Sequence, residues 1–215
     1  MKKIMDLNQP IRRSFQLLDL KADETESGII EGHPAVYDQA ASIGNYFIEI
    51  IERGAFNNCD FDDVLFSVNH DLDRIPLARS RRNNKNSTMQ IGPDDIGLGI
   101  RAKIDIEKNV EAQSLYSAIQ RGDIDGMSFI FYVASDNWEN LDTDMPTRRI
   151  TEIRKVIEVS AVNFPAYQGT NINARDLAAL DNVARALDNA RSELDNSGAE
   201  IIEIERLRVK AKAKA

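Results

Sequence analysis

The chain has 215 residues, a net charge of −8, one cysteine and two histidines, so one domain with at most an appendage is expected, with a core that needs no disulfide staple. Cys59 has no second cysteine to pair with, which fits a reducing, cytoplasmic compartment, and with His33 and His70 it leaves too few ligands for structural zinc, although an all-carboxylate magnesium site stays open. No window approaches the roughly 20 apolar residues of a membrane span, and the last ten positions hold five basic residues, leaving −13 on the other 205, a body too acidic for a nucleic-acid binder outside that tail.

The basic N-terminus has no apolar run behind it and does not read as a secretory signal. Phe15 to Leu20 reads as a strand, Lys21 to Ser27 as a charged turn, and Gly28 to Asp38 as a second strand broken at Gly32 to Pro34. The chain thus opens with an expected antiparallel pair. Ala40 to Asn45 is a polar loop, Tyr46 to Ile51 a short apolar segment, and Glu52 to Cys59 a turn or one helical turn. Val64 to Val68 is a short apolar run that predicts a buried strand, leading straight into Asn69-His70-Asp71.

Arg79 to Ser87 is polar and basic, a surface loop. Thr88 to Ile91 and Leu98 to Ile104 flank the turn Gly92 to Gly97 and predict a hairpin. Ile106 to Arg121 carries apolar residues at helical spacing, with Gly122 as its stop. Met127 to Ala134 predicts a core strand, Asp136 to Pro146 a polar loop holding Trp138, and Arg149 to Phe164 one or two strands ended by Pro165. From Asn173 onward, leucines and other apolar residues recur in three- and four-residue steps, which predicts a long amphipathic helix with a basic end. Antiparallel strands with few long crossovers favour a barrel or a pair of packed sheets; the expected class is α+β, mainly an antiparallel β-barrel with one or more packed helices over residues 1–172, and a helical tail over 173–215.

Three residues invite chemistry. His70 follows a buried strand among polar neighbours, where an imidazole is placed for proton transfer, although an ordinary surface histidine fits as well. Ser128 lies among Met127, Phe129 and Phe131 at the start of a core strand, where a hydroxyl needs a partner; the backbone or a histidine would serve. Glu158 interrupts an apolar run, and a carboxylate there is costly unless paired. Period-two alternation puts Glu158 on the same side as Ser160 and Val162. His33, before Pro34, reads as structural or surface. Asp71, Asp73, Asp94 and Asp95 read as solvated turn carboxylates before they read as cation ligands, and the sequence indicates no cofactor.

Taken as a set, these segments resemble one family. Asn69-His70-Asp71 after a strand, Gly97-Leu98, Gly122 to Phe131 with its Gly126-Met127-Ser128-Phe129 centre, Arg149-Ile150, Glu158 to Val162 and Pro165-Ala166-Tyr167 stand in the order and spacing of the prohead maturation proteases of tailed phages. That family is related in fold to the herpesvirus assemblins, and the likeness runs from about Gly28 to Thr170.

The resemblance implies a serine endopeptidase that acts inside the immature capsid. Its substrates would be scaffold, or the scaffolding segment of the major capsid protein, and often the enzyme itself. Ser128 would be the nucleophile and His70 the base. The assemblins use a second histidine as third member; no histidine lies downstream of Ser128 here, and Glu158 takes that place. The region matching their oxyanion site has no arginine, which leaves backbone amides at Ala166 and Tyr167 as donors. A protease that destroys scaffold has to stay quiet until assembly, so weak activity in isolation and activation by self-association, a dimer among the options, are expected. The tail is either a docking or self-cleaved segment or a helix packed on its own body. A non-enzymatic capsid assembly or scaffolding protein is the alternative reading; a metal nuclease built on Asn69-His70-Asp71 is disfavoured by the acidic body.

Overall fold

The protein is described from a computed structural model, which covers residues 10–14, 19–43, 46–163, 185–192 and 194. In chain order the strands are β1 (Ile11–Ser14), β2 (Lys21–Ala22), β3 (Ile29–Val36), β4 (Ala41–Ile43), β5 (Phe47–Ile51), β6 (Leu65–Val68), β7 (Ala78–Arg79), β8 (Met89–Pro93) and β9 (Gly97–Lys103). Helix α1 (Val110–Gln120) follows, then β10 (Gly126–Glu139) and β11 (Thr147–Val162). Residues 185–192 are helical.

The α+β class holds, but the expected closed barrel does not. The described strands form two sheets, one in the order β2-β3-β9-β8 and the other in the order β1-β10-β11-β5-β4, with β6 and β7 attached through β11. Apolar alternation reports which face of a strand is buried; it does not distinguish one rolled sheet from two facing ones. The larger sheet is also not purely antiparallel. β11 is a 16-residue spine: β10 runs antiparallel along one side, while β5 pairs in parallel with its first part and β6 with its last.

One core fills the space between the layers. Ile30, Leu98 and Ile100 come from the smaller sheet, Phe66, Phe129, Phe131 and Val159 from the larger, and Ala112, Leu115 and Ile119 from α1. Phe129 and Phe131 stack with centroids 4.3 Å apart. Burial of each such side chain contributes about 1.5–3 kcal/mol. Gly97 marks the tightest approach: a Cβ there would lie 2.0 Å from the Ala35 carbonyl oxygen, so only glycine lets β9 pass β3.

Several expected boundaries shift for identifiable reasons. Pairing begins at Lys21–Ala22, where a turn was expected, and the Asp23 carboxylate closes the real turn by accepting from the Thr25 and Glu26 amides. Helix α1 starts at Val110 rather than Ile106, because Asn109 caps it by accepting from the Glu111 and Ala112 amides. Only the start of the polar stretch departs from expectation: Asp136 to Glu139 continue β10, where Trp138 pairs with Arg148 of β11, while residues 140–146 form the expected loop. Polar residues suit a strand with a wet face as well as they suit a loop. The loop after β7 is pinned by two buried serines, Ser80 and Ser87, whose hydroxyls donate to the Phe61 and Ser80 carbonyls.

Of the expected strand over Phe15 to Leu20, Asp19 and Leu20 are not in a strand and the rest lies outside the described residues, as do most of the long tail helix, Phe164 and Pro165. Within the tail, Leu187 is buried against Ile43 and Phe47, and Arg191 donates to the carbonyls of Leu141 and Thr143 at 3.1 and 2.9 Å. That part of the tail packs on its own body.

Candidate active site

Four adjacent strands place the polar residues of the site. In the register of the larger sheet, Ser14 of β1 faces Ser128 of β10, Ser128 faces Ser160 of β11, and Ser160 faces Ser67 of β6. Paired residues share a face, so these side chains form one row across the sheet. Their neighbours Phe129, Val159 and Phe66 point the other way into the core. Glu158, two residues before Ser160, joins the polar face. The register with β10 steps just beyond it, between Ile130 and Phe131, a bulge that bends the strand next to the carboxylate.

His70 reaches this row from the loop after β6. Asn69 and His70 both take left-handed backbone conformations, with φ of 52° and 60°. Two such non-glycine residues in succession cost about 1–3 kcal/mol each and persist only where the surroundings hold them. Here the Asn69 amide donates to the Ala161 carbonyl at 2.9 Å, the Asn163 amide donates to the Asn69 side-chain oxygen at 3.0 Å, and the His70 amide donates to Ser160 Oγ at 2.8 Å. The turn swings the imidazole back over the sheet.

The ring then lies between a hydroxyl and a carboxylate. His70 Nε2 is 2.6 Å from Ser128 Oγ, and His70 Nδ1 is 2.7 Å from Glu158 Oε2. Glu158, Ser128 and Ser160 are fully buried, and the His70 side chain is 6% exposed. The second carboxylate oxygen, Oε1, accepts from the Ser67 hydroxyl, which in turn lies 2.7 Å from Ser160 Oγ. An ionised carboxylate only accepts, so His70 Nδ1 carries the proton and Nε2 presents its lone pair to Ser128. Ser128 Oγ has a second acceptor in reach, the Arg13 carbonyl of β1 at 2.8 Å. A serine, a neutral imidazole and a buried carboxylate in this order can pass a proton from the hydroxyl to Nε2 and stabilise the imidazolium that results.

All three residues singled out as chemical in the sequence are thus brought together. Ala166 and Tyr167 lie outside the described residues. Asp71, Asp73, Asp94 and Asp95 are not assembled: Asp71 pairs with Arg74 at 3.1 Å, and Asp94 accepts from His33 and from the Ile96 and Gly97 amides. Among the described residues no group of three or more His, Cys, Asp or Glu is placed to hold a metal ion. Burial pushes the Cys59 thiol up to about 12, which makes it a poor nucleophile. The sequence expectations assign no part to Ser67 and give Ser160 only a side of the strand, yet both enter the hydrogen-bond network around Glu158. The signal was present: Ser67 sits inside an apolar run, as Ser128 and Glu158 do.

A second buried polar cluster lies along the same sheet. Glu49 of β5, fully buried, is held between Arg13 of β1 and Arg148 of β11, and Arg148 also donates to Asp136 at 2.6 Å. Burial alone would raise the Glu49 pKa, but the two guanidiniums outweigh it and hold it below the usual carboxylate range.

A family model described as caudovirus prohead serine protease matches residues 16–184, most of the chain. The chain belongs to that family. It is a serine protease of phage capsid maturation, and the sequence resemblance is borne out at the level of the family. The prohead protease of Enterobacteria phage HK97, a curated relative, is 30% identical over 167 residues, which span 72% of this chain and 67% of that protein. No solved structure matches. No helix among the described residues is long and apolar enough to cross a membrane.

Proposed function

We propose that this prohead protease is a serine endopeptidase in which Ser128 is the nucleophile, His70 the general base and Glu158 the residue that holds and stabilises the imidazole. The continuous contact from Ser128 Oγ through the His70 ring to Glu158 carries this reading. Ser128 Oγ attacks the scissile carbonyl carbon as its proton moves to His70 Nε2. The imidazolium, paired with Glu158, gives that proton to the leaving amine, which departs and leaves an acyl-serine. Water then attacks the ester, loses a proton to His70, and the acid product leaves as Ser128 regains its hydrogen. Backbone amides of Ala166 and Tyr167 are the proposed oxyanion donors.

The substrates in this reading are scaffold or the scaffolding segment of the major capsid protein, and the enzyme itself, inside the prohead. Residues 1–172 carry the chemistry. The basic end of the tail, in residues 173–215, serves as a docking or self-cleaved segment. Co-expression with the major capsid protein, read by intact mass, tests the assignment. Wild type is expected to trim the capsid protein, Ser128→Ala and His70→Ala are expected not to, and Glu158→Ala is expected to be slow. Full trimming by Ser128→Ala would remove the nucleophile. Capsids that form with every chain intact would favour an assembly factor. If self-association activates the enzyme, specific activity falls on dilution from micromolar to nanomolar; an unchanged value would rule that out.

A further inference from the structure

We propose that Ser67 and Ser160 are positioning residues that close a ring of hydrogen bonds through His70, fixing its backbone and its tautomer together; this rests on the proposed triad. The directions of the bonds follow from the donor inventory. The His70 amide can only donate, so Ser160 Oγ accepts from it at 2.8 Å. Glu158 Oε1 can only accept, so the Ser67 hydroxyl donates to it. The remaining contact, 2.7 Å between the two hydroxyls, must then run from Ser160 to Ser67. Glu158 Oε2 accepts from His70 Nδ1 and completes the loop. Each hydroxyl donates once and accepts once, and both serines are buried, so neither bond exchanges freely with water. One end of the ring holds the amide of a residue at φ 60°; the other end holds its imidazole. Removal of either hydroxyl leaves a buried group without its partner and loosens the angle at which Nε2 meets Ser128.

The test compares Ser160→Thr with Ser160→Val, and Ser67→Thr with Ser67→Val, which match in size and differ by the hydroxyl. Ser160→Ala and Ser67→Ala control for added bulk. Readouts are kcat and KM for the trimming reaction, hydrogen-exchange protection of the His70 amide, and ring 15N shifts of labelled histidine in a His33→Gln background, where His70 is the one histidine. The valine and alanine variants are expected to lose kcat by roughly 10- to 100-fold with KM little changed. Ser160→Val should lose His70 amide protection, and Ser67→Val should blur the Nδ1–H tautomer. Threonine should restore what valine loses, unless its methyl group is not tolerated, in which case alanine decides. Alanine variants with wild-type kcat and protection would overturn the ring. An active Ser128→Ala would instead overturn the triad beneath it.

A different observation concerns access to Ser128. Its side chain is fully buried, and β1, at the sheet edge, lays the Arg13 carbonyl 2.8 Å from its hydroxyl. We infer that β1 is an autoinhibitory latch that must leave before any peptide reaches Ser128. A hydroxyl has one proton, and while Arg13 takes it His70 does not. The strand is four residues long, and the Arg13 guanidinium anchors it to buried Glu49. So short an edge strand belongs to the least stable part of a sheet.

The probe is a fluorophosphonate that labels an active serine, followed by mass, with Ser128→Ala as the blank. Arg13→Ala, which loosens the anchor and keeps the carbonyl, and deletion of residues 1–14 are each expected to label at least about tenfold faster than wild type. Folding of both is checked by circular dichroism. Labelling at the wild-type rate in both would overturn the latch. A folded deletion variant that no longer labels would also overturn it, by making β1 part of the working site.

Discussion

The two histidines of this chain are both held at both ring nitrogens, and they are held for opposite purposes. His33 lies between two carboxylates: its Nδ1 is 2.5 Å from Asp19 and its Nε2 is 2.7 Å from Asp94. Ionised carboxylates only accept, so the charged ring, with a proton on each nitrogen, is the form that satisfies both contacts. Burial disfavours that cation, but the bonds to Asp94 and Asp19 outweigh it, and the pKa is raised. His70 has one carboxylate and one hydroxyl. A hydroxyl can donate, so the ring keeps a lone pair and can act as a base. In the proposed triad, one oxygen atom with a proton of its own separates a clamp from a base. His33 ties Asp19, β3 and the turn before β9 together; His70 joins a hydroxyl of β10 to a carboxylate of β11.

The largest effect that could break this contrast is the loss of each ring. His70→Ala and Ser128→Ala are expected to lower the trimming rate by about ten-thousand- to million-fold. His33→Ala, assayed where it stays folded, should stay within about tenfold. An equal loss in His33→Ala would abolish the distinction, and purified enzyme with a peptide from the capsid cleavage site would measure it.

A subtler exchange tests the acceptors. In Glu158→Gln the amide can donate to Nδ1, which selects the tautomer with the proton on Nε2 and leaves no lone pair for Ser128. The expected loss in kcat is about 10²- to 10⁴-fold. Asp94→Asn makes the same chemical change beside His33, where no reaction depends on it, and should move kcat less than about threefold. If Glu158→Gln keeps full activity, the carboxylate does not set the tautomer.

How far the sequence reveals this contrast depends on the kind of information involved. Ser128, His70 and Glu158 are legible because each breaks an apolar pattern or ends a buried strand, and the family resemblance gives their order. The strand over Val64 to Val68 and the Thr88–Ile104 hairpin are legible for the same reason: their periodicity is local. The parallel pairing of β5 and β6 along β11 is not legible, because register between distant strands leaves no local mark. The His33 clamp is hidden too. Asp19 and Asp94 lie 14 and 61 positions away, and nothing in either neighbourhood says that they converge. Ser160 has the right alternation, yet its partner is a backbone amide in a left-handed turn that no pattern predicts.

The smallest effect, in stability alone, sharpens the contrast most cleanly. A raised His33 pKa means that the folded state binds the proton more tightly than the unfolded chain does. The clamp therefore contributes fully below the unfolded histidine value of about 6.5 and is lost as pH rises through the folded value. The Asp94 pKa is lowered: burial would raise it, but the Gly97 amide and His33 hold it down, so Asp94 stays charged across this range. Once His33 is neutral, one ring lone pair faces a carboxylate, and the favourable contact becomes a repulsive one. Denaturant unfolding of wild type and His33→Gln should thus differ by about 1–3 kcal/mol near pH 5.5, and the gap should narrow toward pH 8.5. A gap that stays constant or widens with pH would mean that His33 is held as a neutral ring, and that the two histidines differ in position only.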